Sequence, residues 1–458
     1  MTDQDNYSKI DPQILRVISL AKNKEYEKAL SLGKRLLKKF KGNEVFTNTI
    51  AIIYRRLGNF DQAEFWAKKA ISLKTDFWAG HNNLASIYHD RGDVKKAVAK
   101  YKWILKQKPD YNEAISNLAL AQKGLGNYID ALHEYEKALK ISKTPICVFQ
   151  TGITLLSLGR FDEGWEKHEY RWKVDPLNKT QWPIKNRDLW EGQKDNAVIL
   201  WNEQGIGDDI LFLGLVPEAF RNTKALTVYI DPRLIPLCKR SMPGISFKEK
   251  IDKIEEEFDY HLPMGSLPRL FRNSEKDFER TVKGYLKADS KRVELLRDEL
   301  GVRGKKVIGI SWKSIKSLNH LKKSLTLMDL AKVFKDLDVV LLNLQYGDVD
   351  KEIREFKKET GIEVLQCSSV DNREDLDGLA ALIEVCDLVV STSNVTIHLA
   401  GALAKETWVL LPYVANFWWL LDRSDSIWYP SLKLYRQKKF KDWEWPIKKL
   451  SSALNLRW

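Results

Sequence analysis

Two stretches of this 458-residue chain hold residue types at spacings that could do chemistry. The first is WNEQGIGDDILF, residues 201–212. Gly205 and Gly207 follow the short apolar run AVILW (197–201) and open a stretch of helical text. Glycines at such a junction let the backbone approach a ligand and leave amide N–H groups aimed at an anion. The plainer alternative is a tight strand-to-helix turn, for which tolerance of positive φ is reason enough. Asp208 and Asp209 come next. Either carboxylate could act as general base toward an acceptor hydroxyl, or merely stabilise the positive end of a helix.

The second stretch is STSNVTIHLAGALAKETWVLLP, residues 391–412. The apolar run CDLVVST ends here in small polar residues, and Ser393 or Asn394 can cap a helix starting beside them. The free amides of that helix would suit a diphosphate. His398 lies about one turn inside, on the cleft side if Leu399 and Leu403 face a sheet. A histidine near a helix start can equally be structural, but Ala400, Gly401 and Ala402 would allow close approach.

The text around these stretches says what positions them. From residue 194 onward short apolar runs alternate with helical spacers: AVILW, LTVYI and FDYHLP, then VIGISW, VVLLNLQ, IEVLQC, CDLVVST and TWVLLP. Continuous apolar strands separated by helices imply parallel sheets covered on both faces. The pattern occurs twice, so two Rossmann-like halves are expected, residues 194–302 and 303–458, the second with a crossover tail. Ligand belongs in the cleft at the carboxyl ends of the strands.

Residues 1–174 read differently. Gly58, Gly92 and Gly126 recur every 34 residues, as do Ala63, Ala97 and Ala131, within LGNFDQAEFWAKKAI, RGDVKKAVAKYKWIL and LGNYIDALHEYEKAL. Ala51, Ala85 and Ala119 keep the same phase, weaker copies flank the set, and 175–193 reads as a linker. This period and its small and aromatic positions resemble the tetratricopeptide repeat. Stacked helix pairs make a concave groove, which implies a protein acceptor or other partner there. The alternative is that the array forms a homodimer or braces the rest.

Composition narrows the class. Aromatic content (16 Trp, 16 Tyr, 17 Phe) argues for packed cores. The net charge of +13 comes from lysines scattered among nearly as many acids, with no reading motif, so nucleic acid is not the expected partner. The polar amino terminus is no signal peptide, and no apolar run is long enough to span a membrane. Four widely spaced cysteines fit a reducing compartment, so the expected location is cytoplasmic.

TSNVTIHLAGALAKETWVLLP, WNEQGIGDDILF, DLDGLAALIEVCDLVVS (375–391) and WYPSLKLYRQ (428–437) together resemble bacterial glycosyltransferases that fuse tetratricopeptide repeats to a GT-B unit. These are distantly similar to lipopolysaccharide heptosyltransferases and to protein O-GlcNAc transferases. FDEGWEKHEYRW (161–172) resembles their junction segment. The resemblance implies an α-solenoid followed by a GT-B fold with two Rossmann-like halves and an interdomain cleft. It implies transfer of a sugar from a nucleotide-sugar donor to a hydroxyl, on a protein Ser or Thr such as that of a flagellin-like surface protein.

Carried over by position, Asp208 is the implied base, and Ser393, Asn394, Thr396 and His398 hold the donor diphosphate. Gly205 and Gly207 line the site, Gln345 and Tyr346 lie near the base or ribose, and Lys313 and Lys323 are phosphate counter-charges. The chain departs from the pattern at Ser393-Asn394, where many relatives have Asp-Thr, and at Lys323, where arginine is common. No catalytic metal and no other cofactor are expected, although Asp375 and Asp377 form a D-x-D. Two rival functions remain: a non-catalytic adaptor on a degenerate transferase fold, and an enzyme acting on a lipid-linked or polysaccharide glycan.

Overall fold

The computed structural model describes residues 11–174, 183–184, 187–249, 254, 257–314, 324–335 and 337–458. Lys323 and most of the expected linker (175–182 and 185–186) lie outside the described residues. The chain divides into two compact units, Met1–Thr151 and Gly152–Trp458.

The first unit is a run of helix pairs: α1 (Pro12–Lys22) with α2 (Tyr26–Leu36), α3 (Glu44–Arg56) with α4 (Phe60–Leu73), α5 (Trp78–Arg91) with α6 (Val94–Gln107), and α7 (Asn112–Gly124) with α8 (Tyr128–Ile141). Ala51, Ala63, Ala85, Ala97, Ala119 and Ala131 are all fully buried. They stand where the helices cross, and a larger side chain would hold the backbones apart. Gly58, Gly92 and Gly126 follow the first helix of a pair with φ of +77°, +100° and +82°. That left-handed turn costs an L-residue with a side chain roughly 1 kcal/mol, so the 34-residue glycine series marks where each hairpin reverses. Amide side chains link neighbouring repeats: Asn83 donates to Asn48 at 3.1 Å and Asn117 to Asn82 at 3.2 Å. Helix α9 (Pro145–Ser157) follows.

In the second unit α10 (Phe161–His168) carries the last glycine-bearing copy of the repeat text. Its Trp165 is buried in the core of the α/β region, donates to the Arg272 carbonyl at 2.9 Å, and meets the rings of Phe417 and Trp428. This packing is why the compact units part at Thr151 and not at residue 174, where the repeat period alone would set the division.

The first lobe contains β1 (Ala197–Trp201), α11 (Ile206–Leu213), α12 (Val216–Arg221), β2 (Ala225–Tyr229), α13 (Ile235–Ser241), β3 (Ser246–Lys248), β4 (Tyr260–Pro263), α14 (Leu267–Phe271) and α15 (Ser290–Glu299). Its strands form a parallel sheet in the order β3-β2-β1-β4, with Val198 opposite Leu226 and Tyr260. The second lobe contains β5 (Val307–Ser311), α16 (Ala331–Phe334), β6 (Val340–Asn343), α17 (Asp350–Thr360), β7 (Val364–Leu365), α18 (Leu376–Val385), β8 (Leu388–Thr392), α19 (Val395–Ala402), β9 (Thr407–Leu411), β10 (Leu432–Arg436) and α20 (Glu444–Asn455). Six parallel strands run in the order β10-β9-β8-β5-β6-β7.

Strands β5, β8 and β9 are buried at every position, as parallel strands with helices on both faces must be. The single apolar stretch ILFLGLVPEAF makes two helices because Pro217 opens a second one after Gly214 and Leu215. Two strands carry no continuous apolar run and fall outside the sequence expectation: the three-residue β3, and the edge strand β10, whose buried Leu432, Leu434 and Tyr435 are interrupted by Lys433 and followed by Arg436.

Candidate functional site

The loop after β1 enters α11 through Gly205, whose amide is capped by the Asp208 carboxylate at 3.2 Å. A β-carbon on Gly207 would stand 3.2 Å from Cδ2 of His398 and 3.7 Å from its Nε2. Glycine at this position therefore lets α11 of one lobe meet α19 of the other. At α19, Asn394 is the cap: its Oδ1 accepts from the Thr396 amide at 3.0 Å, while its Nδ2 donates to Ser311 Oγ at 2.7 Å.

Between these helix starts lies a cavity of about 340 Å³, within the range of small-molecule sites. Gly205, Gly207 and Asp208 line it from the first lobe; Tyr346, Ser393, Asn394 and His398 line it from the second. Two helix amino termini, each equivalent to roughly half a positive charge, thus open on the same space. Arg233, Asn372, Arg373 and Trp418 complete the wall. Such a concavity would accept an anion of diphosphate size.

Of the remaining expected residues, the three that are described are engaged elsewhere. Gln345 is buried and its Oε1 accepts from Ser311 Oγ, the Trp312 amide and the Lys313 amide at 3.0, 2.9 and 2.9 Å. It shapes the turn after β5. Thr396 is fully buried, with its hydroxyl near Ser311 Oγ and the Leu344 carbonyl. Lys313 forms an ion pair with Glu352 at 2.6 Å, and Glu352 also receives Trp312 Nε1 and the Leu327 amide. Neither Lys313 nor Gln345 nor Thr396 lines the cavity.

Among the described residues, two arginines that line it were missed by sequence reasoning, Arg233 and Arg373. Arg233 pairs with Asp231 through two nitrogens at 2.9 and 2.8 Å and donates from Nη1 to the Arg373 carbonyl at 2.9 Å, joining the lobes. A signal existed: DPRL follows β2, and residues just past a parallel strand are where such folds place ligand contacts. Asp375 and Asp377 are taken by arginines, Arg292 and Arg240 respectively, both from the first lobe. The D-x-D text here is an interlobe clasp.

The adjacent aspartates separate in role. Asp208 faces the cavity. Asp209 is 2% exposed, and burial pushes its carboxyl up to about 8. The Asn202 amide at 3.2 Å opposes that rise, while Asp208, Asp231 and Glu203 add to it. Burial thus favours the neutral form of Asp209, and its carboxyl lies in the core and does not line the cavity.

A buried ionic network holds the loop itself. Arg171, in the short 3-10 segment Glu169–Lys173, contacts Glu203 at 2.7 Å, Glu169 at 2.6 Å and Ser266 at 2.8 Å. Burial pushes the Glu203 carboxyl up, and the Arg171 guanidinium pulls it back. The aromatic segment 416–430 divides its work. Phe417, Trp419 and Trp428 pack in the core, while Asn416 and Trp418 face the cavity.

Comparison with known proteins bears on the first unit most directly. A tetratricopeptide-repeat family model matches residues 48–77 and 113–145. The first unit is a tetratricopeptide-repeat solenoid. Protein FlbA of Caulobacter vibrioides is 29% identical over 433 residues, covering 89% of this chain and 72% of its own length. The mitochondrial import receptor subunit TOM70 of Saccharomyces cerevisiae is 33% identical over 96 residues, 21% of this chain and 14% of its own. The solved structure of a thermophilic tetratricopeptide-repeat protein of Thermus thermophilus is 21% identical, covers 36% of this chain and 91% of itself, and has a TM-score of 0.33. Among the described residues no helix is long and apolar enough to cross a membrane.

Proposed function

We propose that the chain is a GT-B-type glycosyltransferase that moves a sugar from a nucleotide-sugar donor to an acceptor hydroxyl on a protein recruited by the repeats. The observation that carries this reading is the shared cavity: two helix amino termini from opposite α/β lobes, Asp208 on one wall and His398 on the other. The donor diphosphate docks at the start of α19, with Ser393, Asn394 and His398 around it and the two helix dipoles countering its charge. Arg233 and Arg373 supply a cationic rim, while Lys313 is held by Glu352.

Asp208 takes the proton of the acceptor hydroxyl as its oxygen bonds the anomeric carbon, and the bond to the nucleoside diphosphate breaks with its electron pair. No metal or other cofactor is required in this scheme. A protein Ser or Thr is the acceptor that the repeat array suits best, with a flagellin-like surface protein as the candidate from the sequence resemblance.

The test is incubation of the purified protein with a panel of nucleotide-sugars and candidate acceptor proteins, read by intact mass and by release of nucleoside diphosphate. Asp208→Asn should lower transfer about 10²–10⁴-fold and leave nucleotide affinity unchanged. Absence of nucleotide binding together with absence of transfer for every donor would leave a repeat-bearing adaptor as the better description.

A further inference from the structure

Helix α20 (Glu444–Asn455) of the second lobe turns Pro446, Leu450 and Leu454 into the core. At about 100° per residue, Trp445, Lys448, Lys449 and Ser452 fall on the opposite face. Lys448, Lys449 and Ser452 are exposed there, as are Lys438, Lys439 and Lys441 in the segment that leads from β10 to the helix. Leu456 follows the helix seven residues after Lys449, comes out on the same side, and is 89% exposed.

Two properties set this surface apart from an ordinary solvated helix face. The first is uncompensated charge. Residues 438–457 hold six Lys and Arg against Asp442 and Glu444. Arg457 pairs with Glu406, but none of the five lysines has a carboxylate partner among the described residues. Elsewhere exposed lysines do find one: Lys68 meets Glu64 at 2.8 Å and Lys357 meets Glu363 at 2.5 Å.

The second is that these cations lie against aromatic rings. Lys438 Nζ stands 4.3 Å from the centre of the half-buried Trp445 ring, and Lys449 Nζ 5.9 Å from it. Lys441 Nζ stands 5.6 Å from the ring centre of Phe440, itself 37% exposed. Rings flanked by ammonium groups combine an apolar body with positive charge, the pairing that suits the level where lipid headgroups meet acyl chains.

We propose that this face seats the protein on an anionic membrane surface, with lipid phosphates countering the five lysines and Phe440, Trp445 and Leu456 at the headgroup level. Each lysine brought to such a surface strengthens binding about fivefold. A nucleic acid would meet the same charge and could stack on Trp445, but it offers no apolar phase to the aliphatic Leu456. The helix lies on the membrane and does not enter it, because its other face belongs to the core. This inference is independent of the donor-binding reading and survives its failure.

The test is sedimentation of the full-length protein with vesicles of phosphatidylcholine alone, and of phosphatidylcholine with about 30% phosphatidylglycerol, in about 0.15 M salt. The protein should go down with the anionic vesicles only, and return to the supernatant in about 1 M salt, where the Debye length is about 3 Å. Lys448→Gln combined with Lys449→Gln should weaken binding about thirtyfold, and adding Leu456→Ser should weaken it further. All three positions are exposed, so the fold, followed by circular dichroism, should be unchanged. Lys95→Gln combined with Lys96→Gln removes the same charge from exposed positions of α6 in the first unit and should bind as the wild type does. Equal sedimentation with both vesicle types, or equal loss in the two double variants, overturns the proposal. So does a protein that stays in the supernatant with the anionic vesicles; an oligonucleotide then held through Lys448 and Lys449 would assign the face to nucleic acid instead.

Discussion

Replacing Asp209 by Asn should change how stability depends on pH, and by an amount that burial sets. In the fold the Asp209 carboxyl is raised from 3.8 to about 8. A carboxyl with a raised folded pKa contributes its full stability below its unfolded value and loses it as pH climbs through the folded value. The window of loss therefore runs from about pH 4 to about pH 8, at about 1.4 kcal/mol per pH unit. Between about pH 4.5 and about pH 7 the wild-type protein should lose about 3 kcal/mol that Asp209→Asn, lacking the titration, does not lose.

The amide is close in size and can still accept from Asn202, which lies 3.2 Å from the carboxylate now. Guanidinium unfolding followed by tryptophan fluorescence reads the second unit, because Trp165, Trp190, Trp201, Trp312 and Trp419 are buried there. The two proteins should diverge steadily with rising pH at equal denaturant slopes. Curves that stay parallel across the window would mean that Asp209 is ionised in the fold, and the distinction drawn between Asp208 and Asp209 would fail.

Arg171→Met should be costly, because it leaves the buried Glu203 carboxylate, with the half-buried Glu169 beside it, without its cation. We expect a loss of about 3–5 kcal/mol in the same unfolding assay, largely recovered in the double variant with Glu203→Gln; no recovery would contradict the network. In the first unit, Ala85→Leu adds three carbons at a fully buried helix crossing and should cost about 1–3 kcal/mol or more, seen as an earlier helical melt by circular dichroism. An unchanged melt would mean that the 34-residue alanine series does not mark the contact.

The repeat array was legible in the text because its physics is local. Each hairpin needs a glycine at the turn and alanines at the crossing, and the same need recurs one repeat later, so Gly58, Gly92 and Gly126 announce it without any long-range information. The parallel strands were legible for a related reason: a strand covered on both faces must be apolar at every position, as β8 and β9 are. Strand β10 was not, since Lys433 and Arg436 break its apolar run although Leu432, Leu434 and Tyr435 are buried.

The site divides along the same line. Residue types alone determined where backbone amides could be offered to an anion, at Gly205–Asp208 and Ser393–Asn394, because a helix start needs only its cap and the residues beside it. Which side chains turn toward the cavity was decided by tertiary structure. Lys313 and Gln345 sit at strand ends as readily as Tyr346 does, yet Glu352 claims the lysine and the turn after β5 claims the glutamine. Arg233 and Arg373 reach the cavity from opposite lobes, 140 residues apart in the chain. Asp208 and Asp209 are the same residue type in adjacent positions, and a helix turns one to the cavity and the other into the core. Burial and partnership are properties of neighbours brought together by folding, and no local pattern in the chain contains them.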